Sequence, residues 1–419
     1  MTTFRWFDGN LGFYDYNMLA SYDKVSHSAT QVVYRSTFDD SGAYDPFRIQ
    51  FNIAGGELWD DPAGGGTSHV AGTITGITYF NNAGTKIAEI TGLTANAAAA
   101  FSLLTNHYDP EVANNNFWNY VRGVNPQGAL FIGSDASGRA DLEGYDFRPF
   151  ELGDDITTTT GNDTVQAGGD NDYISDMGGV DVYNGGTGAA DLVSYHVWRS
   201  IQLVPQTGIV ADLAAGTVTG PDGKVDQLTS IEGLRGTHFA DVIRGSAAKN
   251  FLIGGAGGDI LDGRGGFDEV FYAWDLGRGI RVDMGKGTVR DGFGGLDRLV
   301  SIESVVGTYQ NDRFVDAAGA QRFNGEAGND VFSLSRGNDT VTGGFGEDTF
   351  KFLGRDFGTD RIMDFEKGAD VIHLTGVSTQ EDMTISKSNG NLVITVGTSK
   401  VILVDLAGLV LDPSDFIFG

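Results

Sequence analysis

From about residue 154 to residue 352 the chain repeats a simple pattern with a period of nine: an acid or amide, then an apolar side chain two positions later. The polar positions are Asp163, Asp172, Asp181 and, after a one-residue insertion, Asp191; then Asp241, Asn250, Asp259 and Asp268; then Asp312, Gln321, Asp330, Asp339 and Asp348. The apolar followers are Val165, Ile174, Tyr183, Val193, Ile243, Leu252, Leu261, Val270, Phe314, Phe323, Phe332, Val341 and Phe350. With 40% hydrophobic residues scattered at random, all of these positions would be apolar with a probability of about 10⁻⁵. An internal period this short predicts a stacked array rather than one compact globule.

Runs such as Ile260, Leu261 and Asp262 predict short strands whose middle side chain faces inward. Clusters such as Gly254 to Asp259, GGAGGD, predict turns that need the conformational freedom of glycine. Two nonapeptides then make one coil, and residues 18 apart lie above one another. The pairs in register are Asp163 with Asp181, Asp172 with Asp191, Asp241 with Asp259, Asn250 with Asp268, Asp312 with Asp330, Gln321 with Asp339, and Asp330 with Asp348.

A longer period overlies the short one. GIVAD at 208–212 recurs 71 residues later as GIRVD at 279–283; Ser230, Ile231 and Glu232 recur as Ser301, Ile302 and Glu303; GGAGGD at 254–259 recurs as GEAGND at 325–330. The region is a duplicated module, each copy a β-rich connector followed by nonapeptides.

Residues 1–150 lack this periodicity and read as a separate small α+β domain. Ile74 to Phe80 and Lys86 to Ile90 predict a hairpin closed through Asn81, Asn82, Ala83 and Gly84. Thr94 is placed to cap a helix over 95–106, and Asp109 a second one with Pro110 in its first turn.

The formal charge of −28, carried largely by Asp among 63 glycines, fits metal-binding turns and makes nucleic acid and anionic membranes poor partners. With no cysteine, there is neither a disulfide framework nor a thiolate zinc site. The first residues, MTTFRWFDGN, do not read as a classical export signal, and no stretch approaches 18 consecutive apolar residues.

Calcium takes hard oxygen ligands in a flexible shell. The expected sites lie between successive coils, with carboxylates from Asp163, Asp172, Asp181, Asp191, Asp241, Asp259, Asp268, Asp312, Asp330, Asp339 and Asp348, and with Asn250 and Gln321 marking weaker or empty ones. Backbone oxygens are expected from the turns containing Gly168, Gly185, Gly186, Gly188, Gly254, Gly255, Gly257, Gly263, Gly325, Gly328, Gly343, Gly344 and Gly346. Without the ion the carboxylates repel, and one buried side chain per strand offsets little of the roughly 1–2 kcal/mol of backbone entropy per residue. Folding and metal binding are therefore expected to form one equilibrium.

GGAGGDILD at 254–262 resembles the RTX nonapeptide GGxGxDxUx, and AGGDNDYIS at 167–175, GGTGAADLV at 185–193 and GGFGEDTFK at 343–351 resemble it with single departures. The resemblance implies a mainly β fold of parallel β-roll blocks joined by β-rich connectors. Residues 349–377 resemble the serralysin-type C-terminal domain, and the tail from Asn391 resembles an uncleaved type I secretion signal, with Asp415 before Phe416, Ile417 and Phe418. This implies export by the type I secretion apparatus and folding in extracellular calcium. The expected boundaries are 1–150 for the N-terminal domain, 151–195, 236–273 and 307–352 for the roll blocks, 196–235 and 274–306 for the connectors, and 353–419 for the C-terminal domain.

No catalytic motif appears: HExxH and GxSxG are absent, and His27, His69, His107, His196, His238 and His373 show no ligand spacing. The acidic doublets at 39–40 and 60–61 read as solvated turns, and Phe117, Trp118 and Tyr120 as core. The function expected is that of a secreted, non-enzymatic calcium-binding protein acting at a surface, in adhesion or in a self-assembling matrix. Its candidate partners are further copies of itself or a cell-surface glycan. The alternative is a secreted hydrolase or polysaccharide-acting enzyme with an unrecognised site in residues 1–150.

Overall fold

The computed structural model describes residues 155–419 except 159–160, 170, 197–206 and 276, together with the backbone of nine strands before residue 150. The chain forms two compact units, residues 1–201 with 216–231, and residues 202–215 with 232–419.

In the first unit, Thr73–Phe80 and Lys86–Asn96 form the hairpin predicted from the sequence, antiparallel with Ile77 opposite Ile90. The second strand runs through Thr94 and Ala95 to Asn96, so the helix predicted to start after Thr94 does not begin there. Strand pairing with Thr73–Phe80 satisfies backbone groups that a helix cap would have served, with Ala95 opposite Ile74. The remainder of that helix, the one after Asp109 and the aromatic cluster at 117–120 lie outside the described residues. Thr2–Trp6 pairs antiparallel with Lys86–Asn96 and parallel with Ala129–Ile132, which pairs in turn with Thr164–Gly169. The first nonapeptide strand thus extends the N-terminal sheet.

Beyond residue 155 short parallel strands alternate between two facing sheets. Registers step by 18, as in Ile156 opposite Ile174, Val165 opposite Tyr183, Ile243 opposite Leu261, and Phe332 opposite Phe350. The insertion before Asp191 makes one step 19, with Ile174 opposite Val193. Every one of the apolar followers predicted from the nonapeptide period has 0% exposure. In the third block they stack as rings: Phe314 and Phe332 lie 4.8 Å apart at 9°, and Phe332 and Phe350 5.4 Å apart at 9°.

Both connectors fold alike. Thr217–Thr219 pairs antiparallel with Val225–Thr229, and Thr288–Arg290 with Leu296–Val300. In each, the second strand then joins the roll in parallel, through Gln227 opposite Val182 and Arg298 opposite Ile260. At the C-terminal end Thr359–Ile362 and Val371–Leu374 continue the two sheets. Ser399–Leu403 adds in parallel to the first of these and carries an antiparallel ribbon, Asn391–Val396 and Thr384–Ser388.

Candidate metal centres

The repeated acids form a ladder along the turns. In each coil one carboxylate oxygen accepts the backbone N–H of the residue one coil earlier: Asp163 N–H to Asp181 at 2.6 Å, Asp172 to Asp191 at 2.8 Å, Asp241 to Asp259 at 2.8 Å, Asn250 to Asp268 at 2.8 Å, Asp312 to Asp330 at 2.7 Å, Gln321 to Asp339 at 2.8 Å, and Asp330 to Asp348 at 2.9 Å. The structure therefore brings together every pair read from the sequence. It also adds acids beyond the nonapeptides: Asp181 N–H donates to Asp226, Asp259 to Asp297, Asp268 to Glu303, Asp339 to Asp360 and Asp348 to Asp370. Asp226 and Asp297 lie 71 residues apart, as do Glu232 and Glu303. The duplication signal could have found the first pair, because it carries one connector acid onto the other.

The neutral positions make the same local bond as Asp241 and Asp312, whose Oδ2 atoms accept the N–H groups of Thr237 at 2.7 Å and Thr308 at 2.6 Å, four residues earlier. Asn250 accepts from Ser246 N–H at 2.6 Å and donates to the Glu232 carbonyl at 3.1 Å, while Gln321 accepts from Ala317 N–H at 3.1 Å.

Whether these residues fit a cation can be judged from the second oxygen of each acid. While Oδ1 accepts the ladder bond, Oδ2 of Asp259, Asp268, Asp330, Asp339, Asp348 and Asp360 is buried without a hydrogen-bond partner. Desolvated carboxylate oxygens are costly unless paired or bound to metal. Burial accordingly pushes the acids toward protonation: Asp259 to about 9, Asp330 and Asp360 to about 8, Asp339 to about 7, and Asp241, Asp268, Asp312 and Asp348 to about 6.

The glycines shape the space around these oxygens. A Cβ on Gly254 would lie 2.3 Å from Asp259 Oδ2, on Gly263 2.4 Å from Asp268 Oδ2, on Gly325 2.1 Å from Asp330 Oδ2, on Gly343 2.3 Å from Asp348 Oδ2, and on Gly185 2.4 Å from Asp191 Oδ2. On Gly325 it would also lie 2.5 Å from the Gly343 carbonyl of the next coil. Carboxylate and carbonyl oxygens therefore converge where only glycine leaves room. Gly168, Gly186, Gly255, Gly257, Gly328, Gly344 and Gly346 take positive φ; at Gly257, with φ 143°, a Cβ would also meet the Phe239 carbonyl at 2.8 Å. Gly188 is half-buried in the turn before Asp191. The donor set is all oxygen, as a hard divalent cation requires.

One coil departs from the repeat. Asp176 occupies the place held by Gly254 in the second block, and Tyr183 the place of Leu261. Ligand atoms of Asp176, Asp181 and Asp226 lie within 4.8 Å of one another, all buried. The Tyr183 hydroxyl donates to Asp176 at 2.7 Å and contacts Asp181 at 3.0 Å, and Tyr195 donates to Asp226 at 3.0 Å. Burial, then the neighbouring Asp226 charge, raises Asp176 well above the ordinary carboxylate range; Asp226 rises to about 7, chiefly through burial. The second block keeps the Tyr–Asp part alone, Tyr272 donating to Asp297 at 2.9 Å.

A family model of the RTX calcium-binding nonapeptide repeat matches residues 157–190, 235–270 and 315–350. The chain carries RTX calcium-binding repeats. The matched segments hold the ladder acids of all three series except Asp191 and Asp312, and the RTX turns are the glycine cradles described above. Two solved structures resemble parts of the chain. The extracellular lipase LipA from Serratia marcescens is 20% identical over 45% of this chain and 40% of its own, with a TM-score of 0.19. The AlgE6R3 subunit of the Azotobacter vinelandii mannuronan C5-epimerase is 18% identical over 43% of this chain and 78% of its own, also with a TM-score of 0.19. This chain thus spans well under half of the lipase. No curated protein matches it.

Proposed function

We propose that this chain is a secreted protein that folds on extracellular calcium and acts without catalysis at a surface, in adhesion or in a self-assembling matrix, after export by a type I apparatus. The row of buried carboxylate oxygens lacking hydrogen bonds carries this reading, because a roll built on them is incomplete without cations. The ligands would be carboxylates of Asp163, Asp172, Asp181, Asp191, Asp241, Asp259, Asp268, Asp312, Asp330, Asp339 and Asp348, joined by carbonyls of the glycine turns. The Oδ2 atoms of Asp259, Asp268, Asp330, Asp339 and Asp348 are free for the ion, while those of Asp181, Asp241 and Asp312 accept from Tyr183, Thr237 and Thr308. The bound ion supplies charge compensation and cross-links successive coils. The roll blocks and connectors would respond as the units that calcium folds, with 353–419 closing the array.

Circular dichroism and sedimentation during a calcium titration, with magnesium as control, test both levels of the proposal. A cooperative gain of β structure specific to calcium is expected, with growth in mass if the chain assembles on itself. No calcium response would overturn the folding role; folding with no growth and no attachment to cells would overturn the surface role.

A further inference from the structure

The chain has 28 Lys and Arg against 56 Asp and Glu, yet four of its arginines gather around one hollow. Arg278, Arg281, Arg290 and Arg313 line a recess of about 660 Å³ together with Phe293. Arg281 stands opposite Arg290 across an antiparallel pair and opposite Arg313 across a parallel pair. All four are exposed, and none forms an ion pair among the described residues. Arg290 is steadied by the Gly294 carbonyl at 3.0 Å. The acid beside them, Asp291, is buried and turns Oδ1 to the N–H groups of Gly294 and Gly295 at 2.5 and 2.6 Å.

Like charges placed opposite one another on adjacent strands destabilise a sheet. The duplicated module shows that the connector fold does not require them. Seventy-one residues earlier the corresponding positions are Thr207, Val210, Thr219 and Val242, with Asp222 in place of Phe293. The parallel pair there joins Val210 to Val242 in the register that joins Arg281 to Arg313. One copy has no cation at these positions and the other has four.

Guanidinium forks match carboxylate and sulfate groups bidentately. Phe293, 49% exposed, offers a flat apolar face at the rim. The recess has the volume of a small-ligand site, which commonly runs to about 300–1,000 Å³. A nucleic-acid duplex would bring one charge per about 1.7 Å against a protein of net charge −28. We infer that the recess formed by Arg278, Arg281, Arg290, Arg313 and Phe293 binds a linear anionic saccharide, uronate or sulfated, pairing its acid groups with the guanidiniums and laying a sugar ring on Phe293. The inference does not depend on the chain being non-enzymatic.

The test uses the full chain in saturating calcium and titrates it calorimetrically with an oligogalacturonate, a sulfated oligosaccharide of equal length, a neutral dextran oligomer and a short single-stranded DNA. At least one of the anionic sugars is expected to bind, weakening as salt rises, while dextran and DNA do not. The variant Arg281→Val/Arg290→Thr/Arg313→Val installs residues that the first copy already tolerates. It should keep the circular dichroism and calcium midpoint of the parent and lose binding by roughly tenfold or more per guanidinium. Phe293→Ala should weaken the sugar alone. Absence of sugar binding, equal binding of DNA, or a triple variant that changes sedimentation while still binding sugar would each overturn the assignment. A failed calcium response, read separately by circular dichroism, would strike the folding proposal instead.

Discussion

At the scale of single residues, the roll depends on glycines that differ from one another in what they do. Gly254 is held by contact: its φ is unremarkable, but a Cβ would lie 2.3 Å from Asp259 Oδ2. Gly265 faces open space, with nothing within 4 Å of where a Cβ would sit. Gly254→Ala is therefore expected to cost about 1–3 kcal/mol by overpacking and to raise the calcium midpoint, while Gly265→Ala should be neutral or stabilising by about 0.4–1 kcal/mol. Thermal melts of both variants at several calcium concentrations would separate them; equal losses would refute the cradle. The nonapeptide acids and their apolar followers were legible in the sequence because the roll repeats the same two demands every nine residues. Asp176 was not, because it replaces a glycine in its turn and its partner Tyr183 is aromatic where Leu261 is aliphatic.

At the scale of elements, the strands are too short to hold by themselves and lean on the stack between the sheets. Phe332 sits between Phe314 and Phe350, near-parallel to both and fully buried. Phe332→Ala should cost about 3–5 kcal/mol, measured by denaturant melts in saturating calcium, and a loss under 1 kcal/mol would mean that the rings are not the core of that block. The hairpin of residues 73–96 was legible from its alternation and its loop. The helix placed after Thr94 was not there, because a local capping signal cannot register that Thr73–Phe80 offers that segment a strand partner as far as Asn96. The 71-residue offset predicted matching connectors, and both hairpins appear with matching registers.

At the scale of the whole molecule, the ladder ties folding to protons as well as to calcium. In the metal-free fold, burial raises Asp259 to about 9, Asp330 and Asp360 to about 8 and Asp339 to about 7. Because these folded values exceed the unfolded ones, the metal-free fold binds more protons than the unfolded chain across that range. Its stability is greatest below about pH 4, where both states are protonated, and falls as pH rises through the folded values. Calcium replaces those protons. Metal-free protein should thus retain more β structure at pH 5 than at pH 8, and since the unfolded carboxylates are already ionised at pH 6, the calcium concentration at half-folding should be no lower at pH 8 than at pH 6. Circular dichroism at constant ionic strength would measure both, and metal-free β structure that did not fall from pH 5 to pH 8 would mean that burial of the ladder acids does not govern the fold.

The ladder bonds also all run one way. Each coil gives its N–H groups to acids that arrive later in the chain, ending at Asp360 and Asp370. The turn amides answer in the opposite sense: Val180, Asn329, Glu347 and Thr359 give their N–H groups to Asn162, Asn311, Asn329 and Asn338 of the coil before. Each coil is thus completed from both sides, and a break between any two coils strands donors on both faces of the cut, so order should be gained and lost by whole blocks rather than peeled away from one end.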